Sequence, residues 1–205
     1  MKILSVGCNR KLGKKIGIFN LPAEKTCPGR TKECGRVCYA KKAERIYPNA
    51  LAKRRWNHAF ANSLGFVQAI TDEIRKYGLE KVRIHESGDF YNQRYLNRWI
   101  KIAADCPDTR FLAFTKSFHL DFSKIPANLV VICSIDNSTT KVPISGMTTA
   151  LTLPAGATSI QGRYTCPPVG RNPVTLKKDP DHHNYCGVSC NHCWDNKGPV
   201  AWMKH

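Results

Sequence analysis

Seven of the ten cysteines of this 205-residue chain fall in two dense groups near its ends. The first is Cys27, Cys34 and Cys38, in TCPGRTKECGRVCYA, with spacing C-x6-C-x3-C. The second is Cys186, Cys190 and Cys193, in YCGVSCNHCW, with spacing C-x3-C-x2-C, and Cys166 lies upstream in YTCPP. Thiolates at such spacings hold an iron–sulfur cluster or zinc, or they pair as disulfides. Three thiolates in one tight loop can each take a different iron of a 4Fe–4S cubane, and Cys166 can supply a fourth. Zinc sites are usually built from two C-x2-C-like pairs, and only Cys190 and Cys193 have that spacing. Disulfides are the third reading, disfavoured in a reducing compartment. The two groups either form separate sites or converge on one.

The other residues suited to chemistry are polar and sit where short apolar runs end. His85-Glu86-Ser87-Gly88-Asp89 follows one run, Thr115-Lys116-Ser117 a second, and Ser134-Ile135-Asp136 a third. Ser87, Gly88, Asp89 and Ser134 are candidate cofactor-binding positions. Asp89 can accept from an amine or hydroxyl, and Lys116 can hold an anion or move a proton. The alternative for Asp89 is a cap on the following helix. His182-His183 and His205 are weaker ligand candidates; Cys133 reads as core, and Cys106 as an unpaired helix end.

The elements that must position these groups follow from apolar periodicity. Residues 43–63 predict helix, with Pro48 at a first turn or a break. Phe66, Val67, Ile70, Ile74 and Tyr77 mark an amphipathic helix stopped by Gly78. Leu96, Trp99, Ile100 and Ala103 mark another. Strands are predicted at the chain start, ahead of a turn over Cys8–Gly13, and near 16–20, 82–85, 110–114, 129–133, 150–153, 158–161 and 200–203. Apolar strands alternating with helices predict an α/β fold with a mostly parallel sheet. Its form is a partial (β/α) TIM-like barrel of about six strands, with Cys-rich irregular loops at both ends; a doubly wound sheet is the alternative. In either form the site lies at the carboxyl ends of the strands. The chain reads as one domain: a Cys-rich segment over 1–42, an α/β core over 43–165, and a Cys-rich loop with the last strand over 166–205.

Lys and Arg outnumber Asp and Glu by 32 to 15, for a net charge of +17. So positive a field favours polyanions, and nucleic acid is a possible partner beside a redox protein or a small-molecule substrate. No apolar run approaches the ~18 residues of a membrane span, and the N-terminus has no secretory core. A cytoplasmic setting is therefore expected. No Walker, dinucleotide-binding or nucleophile-elbow motif occurs.

Several segments resemble a family of bacteriophage proteins called gene product 88. They are Asn9-Arg10-Lys11-Leu12-Gly13, Phe19-Asn20-Leu21-Pro22-Ala23, Thr26-Cys27-Pro28-Gly29, Cys34 and Cys38-Tyr39-Ala40. Further on come His85-Glu86-Ser87-Gly88-Asp89-Phe90, Ala113-Phe114-Thr115-Lys116-Ser117, Cys166-Pro167, and the Cys186, Cys190 and Cys193 group. The resemblance implies a phage gene expressed in a bacterial cytoplasm, and says little about activity. Cys8 departs from the small polar residue expected in its turn. The triplets, the barrel pattern and the Ser-Gly-Asp strand end are also distantly similar to radical S-adenosylmethionine enzymes. That likeness implies S-adenosylmethionine as a co-substrate, with Asp89 on its amine and Lys116 on an anionic group. The expectation is thus an iron–sulfur protein acting in electron transfer or a redox or radical reaction at the strand-end mouth. A zinc-stabilised basic nucleic-acid-binding module is the alternative.

Overall fold

Alternating side chains on the central strands are apolar in both directions, so the sheet must be covered on both faces. The computed structural model describes residues 2–7, 9–153, 156–167, 170 and 185–202. Its elements are β1 (Ser5–Val6), β2 (Gly17–Phe19), α1 (Lys32–Arg36), α2 (Tyr39–Ile46), α3 (Pro48–Phe60), α4 (Phe66–Tyr77), β3 (Lys81–Ile84), α5 (Gln93–Asp105), β4 (Arg110–Thr115), β5 (Leu129–Ile135), β6 (Thr149–Thr152), β7 (Tyr164–Cys166) and β8 (Val200–Trp202). The strands form one open sheet in the order β1-β2-β3-β4-β5-β6-β8-β7. Only β1 runs antiparallel to its neighbour.

The expected α/β class with a mostly parallel sheet is correct, and the sheet has eight strands rather than about six. The edge strands are short: β1, expected at the chain start, contributes two residues, and β7 three. The strand expected at 158–161 is absent, and Tyr164–Cys166 pairs with β8 instead. Gly156 and Gly162, both at positive φ, bracket that stretch and favour turns over extended chain. The helical stretch expected over 43–63 is divided at Pro48, as expected, because Tyr47 is extended and Pro48 opens α3. Gly78 ends α4 in the left-handed conformation, as expected. Among the described residues, helical crossovers precede β3 and β4 only. The 116–128 connection is irregular, with an Asp121 carboxylate accepting from Ser123 N at 2.8 Å, and Pro126 near its end.

Two cores result. On one face α4 and α5 cover Phe19, Val82, Ile84, Phe111, Ala113 and Val131. Trp99 is fully buried there, with ring centroids 5.4 Å from Phe19 and 5.7 Å from Phe66, both edge-on. On the other face Ile18, Leu112, Ile132, Ala150 and Val200 pack against Leu12, Cys166 and Trp194. Among the described residues no helix covers this second face; the C-terminal Cys-rich segment does. Glu73 on α4 fixes the chain start, accepting from Ile3 N at 2.8 Å and Leu4 N at 3.0 Å. Removing the Trp99 side chain leaves a large void at the centre of the first core. We expect Trp99→Ala to lower unfolding free energy by about 3–5 kcal/mol in urea titrations.

Candidate metal centres at the two ends of the chain

The N-terminal cysteines are carried by the crossover that leaves β2, so they emerge at the carboxyl rim of the parallel strands. Thr26 O accepts from Asp89 N at 3.0 Å, which joins the Cys27 turn to the loop after β3. Two glycines make this docking possible. A side-chain carbon on Gly29 would lie 1.9 Å from Lys116 O, and one on Gly88 would lie 2.7 Å from the Thr26 hydroxyl. Thr31 caps α1 by accepting from Cys34 N at 3.1 Å, and donates to Asp136 Oδ2 at 2.6 Å. Cys38 caps α2, its sulfur accepting from Lys41 N at 3.4 Å. Behind them Glu44 accepts from Ala23 N at 2.8 Å and pairs with Arg54 at 3.0 Å.

Cys27, Cys34 and Cys38 therefore form one half-buried group beside Asp89, Lys116 and Asp136. Burial, the Asp89 charge and the neighbouring thiols push the Cys27 thiol up to about 12, against a hydrogen bond from the Glu24 backbone. Burial also raises Cys34, which Lys116 opposes and Cys38 reinforces. Negative charge at this group is costly without a cation to share it.

Asp89 is buried and fully engaged. Its Oδ1 accepts from Phe90 N and the Thr115 hydroxyl, both at 2.7 Å, and its Oδ2 from Lys116 N at 2.8 Å. It clamps the end of β3 to the end of β4. It does not cap the next helix, whose cap is Asn92, accepting from Tyr95 N at 2.9 Å. Lys116 Nζ lies 2.8 Å from Asp136 Oδ2 and 3.0 Å from Ser134 O. Ser87 donates to Leu21 O at 2.8 Å, so its hydroxyl braces the β2 loop. His85, at φ 60°, hydrogen-bonds Tyr95 at 2.8 Å; burial, then Arg83, lowers it to about 3 and keeps it neutral.

The C-terminal cysteines form a second group elsewhere. Residues 185–198 cross the amino ends of the strands. Lys81, first in β3, donates to Gly187 O at 2.6 Å and Asn191 Oδ1 at 3.0 Å, and Arg110, first in β4, pairs with Asp195. Cys186 bridges to Leu12 and to Cys190. Cys166, Cys186, Cys190 and Cys193 lie close enough for each thiolate's charge to act within the set. Burial and the Cys166 and Cys186 charges push Cys193 up to about 12, with Arg83 opposing. Burial raises Cys186, against the indole N–H of Trp194 and then Arg83. The Tyr164 hydroxyl lies 3.3 Å from Cys190 Sγ. The thiols that act on Cys27 and Cys34 are those of the N-terminal group, and the thiols that act on Cys186 and Cys193 are those of the C-terminal group, so the described cysteines sort into two sets.

The nine described cysteines are free thiols. Among the described residues, no three His, Cys, Asp or Glu side chains converge as the ligand set of a metal ion. Cys8, His182, His183 and His205 lie outside the described residues. As expected, Cys133 is core, and Cys106 is a buried, unpaired residue at the end of α5. Arg83, Tyr164 and Trp194 were not legible as site residues from motifs. Tyr164 had one signal: it sits two residues before Cys166 on a strand, and so shares its face. Among the described residues no helix is long and apolar enough to cross a membrane.

Burial raises the Asp89 carboxyl to about 6, despite the Lys116, Thr115 and Phe90 hydrogen bonds that lower it. The folded protein thus holds this proton more tightly than the unfolded chain. The stabilisation is complete below about pH 3.8 and is lost as the pH rises through about 6. It amounts to about 3 kcal/mol. Urea titrations at several pH values, compared with Asp89→Asn, check this. The variant should lack this downward slope, whereas parallel curves would contradict it.

The sequence profile of the family described as Gene product 88 matches residues 3–196. The Gene 88 protein of Mycobacterium phage D29 is 26% identical over 200 residues, covering 87% of this chain and 82% of that protein. The Gene 88 protein of Mycobacterium phage L5 is 28% identical over 117 residues, covering 49% of each. No solved structure gives a significant match. These names state no activity, cofactor or partner, and none points to a radical enzyme. With the profile match running over nearly its whole length, this chain belongs to the Gene product 88 family.

Proposed function

We propose that this protein is a phage-encoded iron–sulfur protein with two thiolate-held centres. Cys27, Cys34 and Cys38 hold one, and Cys166, Cys186, Cys190 and Cys193 the other. The observation that carries the reading is the sorting of seven cysteines into a group of three beside Asp89 and Lys116 and a group of four gathered around Cys166 and the 185–198 segment. A three-thiolate cluster keeps an open iron, suited to electron transfer or a redox or radical reaction with a small molecule. A four-thiolate cluster is closed and serves as an electron carrier or structural element.

The number and spacing of the thiols favour a cluster over a single ion: seven cysteines fit poorly with one four-coordinate zinc, and only Cys190 and Cys193 have the C-x2-C spacing usual at structural zinc sites. Within this reading, Lys116 and Asp136 form the polar wall beside the open site, and Asp89 positions Lys116 through its backbone. S-adenosylmethionine is the co-substrate of the radical version. Asp89 has no oxygen left without a partner, so the amine of that molecule would need another acceptor. The run of parallel strands from β2 to β6 in chain order suits a partial (β/α) barrel.

The test is anaerobic reconstitution of Cys38→Ala and Cys190→Ala, read by visible absorption and electron paramagnetic resonance. Each variant should lose one of two distinguishable iron–sulfur signals and keep the other. If both variants lose all signal together, there is one shared site. Colourless wild-type protein that takes up zinc alone, and binds nucleic acid in a salt-sensitive way, would replace this reading with the zinc one.

A further inference from the structure

The loop joining Cys27 to Cys34 forms one wall of a cleft of about 270 Å³; the loops after β4 and β5 form the rest. Four cationic side chains line it, Arg30, Lys32, Lys116 and Lys141, together with Thr140 and Phe118, and no carboxylate does. The cations differ in their engagement. Arg30 pairs with Glu24, and Lys116 with Asp136. Lys32 and Lys141 are exposed and have no acidic partner among the described residues. Asp136, beside Lys116, is engaged: its Oδ2 takes Thr31 and Lys116, and its Oδ1 takes Ser138 N at 2.9 Å. The cleft therefore presents uncompensated positive charge in a concave space. Its volume sits just below the ~300–1,000 Å³ of small-molecule pockets. Phe118 gives it one apolar wall.

We infer that this cleft binds a small phosphate monoester, its phosphate between Lys32 and Lys141 and its organic group against Phe118. A tetrahedral dianion matches several converging cations and hydroxyls better than a lone carboxylate does. The cleft's concavity and size suit one phosphate with its ester group rather than a polymer backbone. The inference needs no metal centre, so it stands or falls separately from the proposed clusters. It places the ligand on the loop that carries Cys27 and Cys34.

Calorimetric titration of the full-length protein with adenosine monophosphate, inorganic phosphate and adenosine tests this. Adenosine monophosphate should bind, inorganic phosphate more weakly, and adenosine not measurably. Lys32→Glu and Lys141→Glu change exposed residues and should leave the circular dichroism spectrum intact. Each should weaken adenosine monophosphate by about tenfold or more. Arg45→Glu, on the exposed side of α2, should leave binding unchanged. Failure of wild type to bind at millimolar nucleotide overturns the inference, and so does equal loss in the Arg45 variant. Tighter binding of a single-stranded oligonucleotide, lost in the Lys32 and Lys141 variants, would assign the cleft to nucleic acid instead.

Discussion

The carboxylate of Asp89 ties the molecule's working rim together. Its two oxygens take three donors from the ends of β3 and β4, while its backbone N–H reaches back to Thr26 beside Cys27. Three segments distant in sequence thus meet at one buried acid. The contact depends on Gly29 and Gly88, where any side chain would strike Lys116 or Thr26. Without that approach the Cys27 loop could not lie on the strand ends, and Cys34 would lose the Thr31–Asp136 tether that holds its helix.

The opposite side of the sheet is organised by a different constraint. Among the described residues the face bearing Leu112, Ile132 and Val200 has no helix on it, so it needs another cover. The segment from Tyr185 to Gly198 supplies it, with Trp194 buried against the strands and Lys81 and Arg110 anchoring its turns. The segment forms no helix and holds itself by turn bonds such as Cys190 N to Tyr185 O at 3.0 Å and Asp195 N to Asn191 O at 2.8 Å. In the proposed reading, an inorganic centre linking its cysteines to Cys166 would add to that rigidity.

Much of this was legible in the sequence. The amphipathic spacing of α4 and α5, the Gly78 stop and the Pro48 break are local signals, and the structure follows them. The polar strand ends were also legible, because apolar runs stopping at Ser, Asp and Lys mark the rim of a parallel sheet. What escaped was non-local. Asp89 looked like a ligand or a cap, because nothing in its neighbourhood reveals that Thr115 and Lys116 would occupy it. The edge strand β7 was misplaced because a three-residue pairing leaves no periodic pattern. The separation of the cysteine groups was equally hidden, for it is set by Lys81 and Arg110 holding residues 185–198 at the amino ends of strands far away in sequence.

The family assignment says where such a chain occurs, and its chemistry must be read from the thiols. The central claim is that this scaffold carries two inorganic centres on two separate sets of cysteines. Its most direct test is the iron and acid-labile sulfide content of wild-type protein isolated without oxygen. The account predicts the two in near-equal amounts, about eight of each per chain for two 4Fe–4S clusters. Protein that stays free of iron and sulfide after anaerobic reconstitution, while still folded, would contradict it.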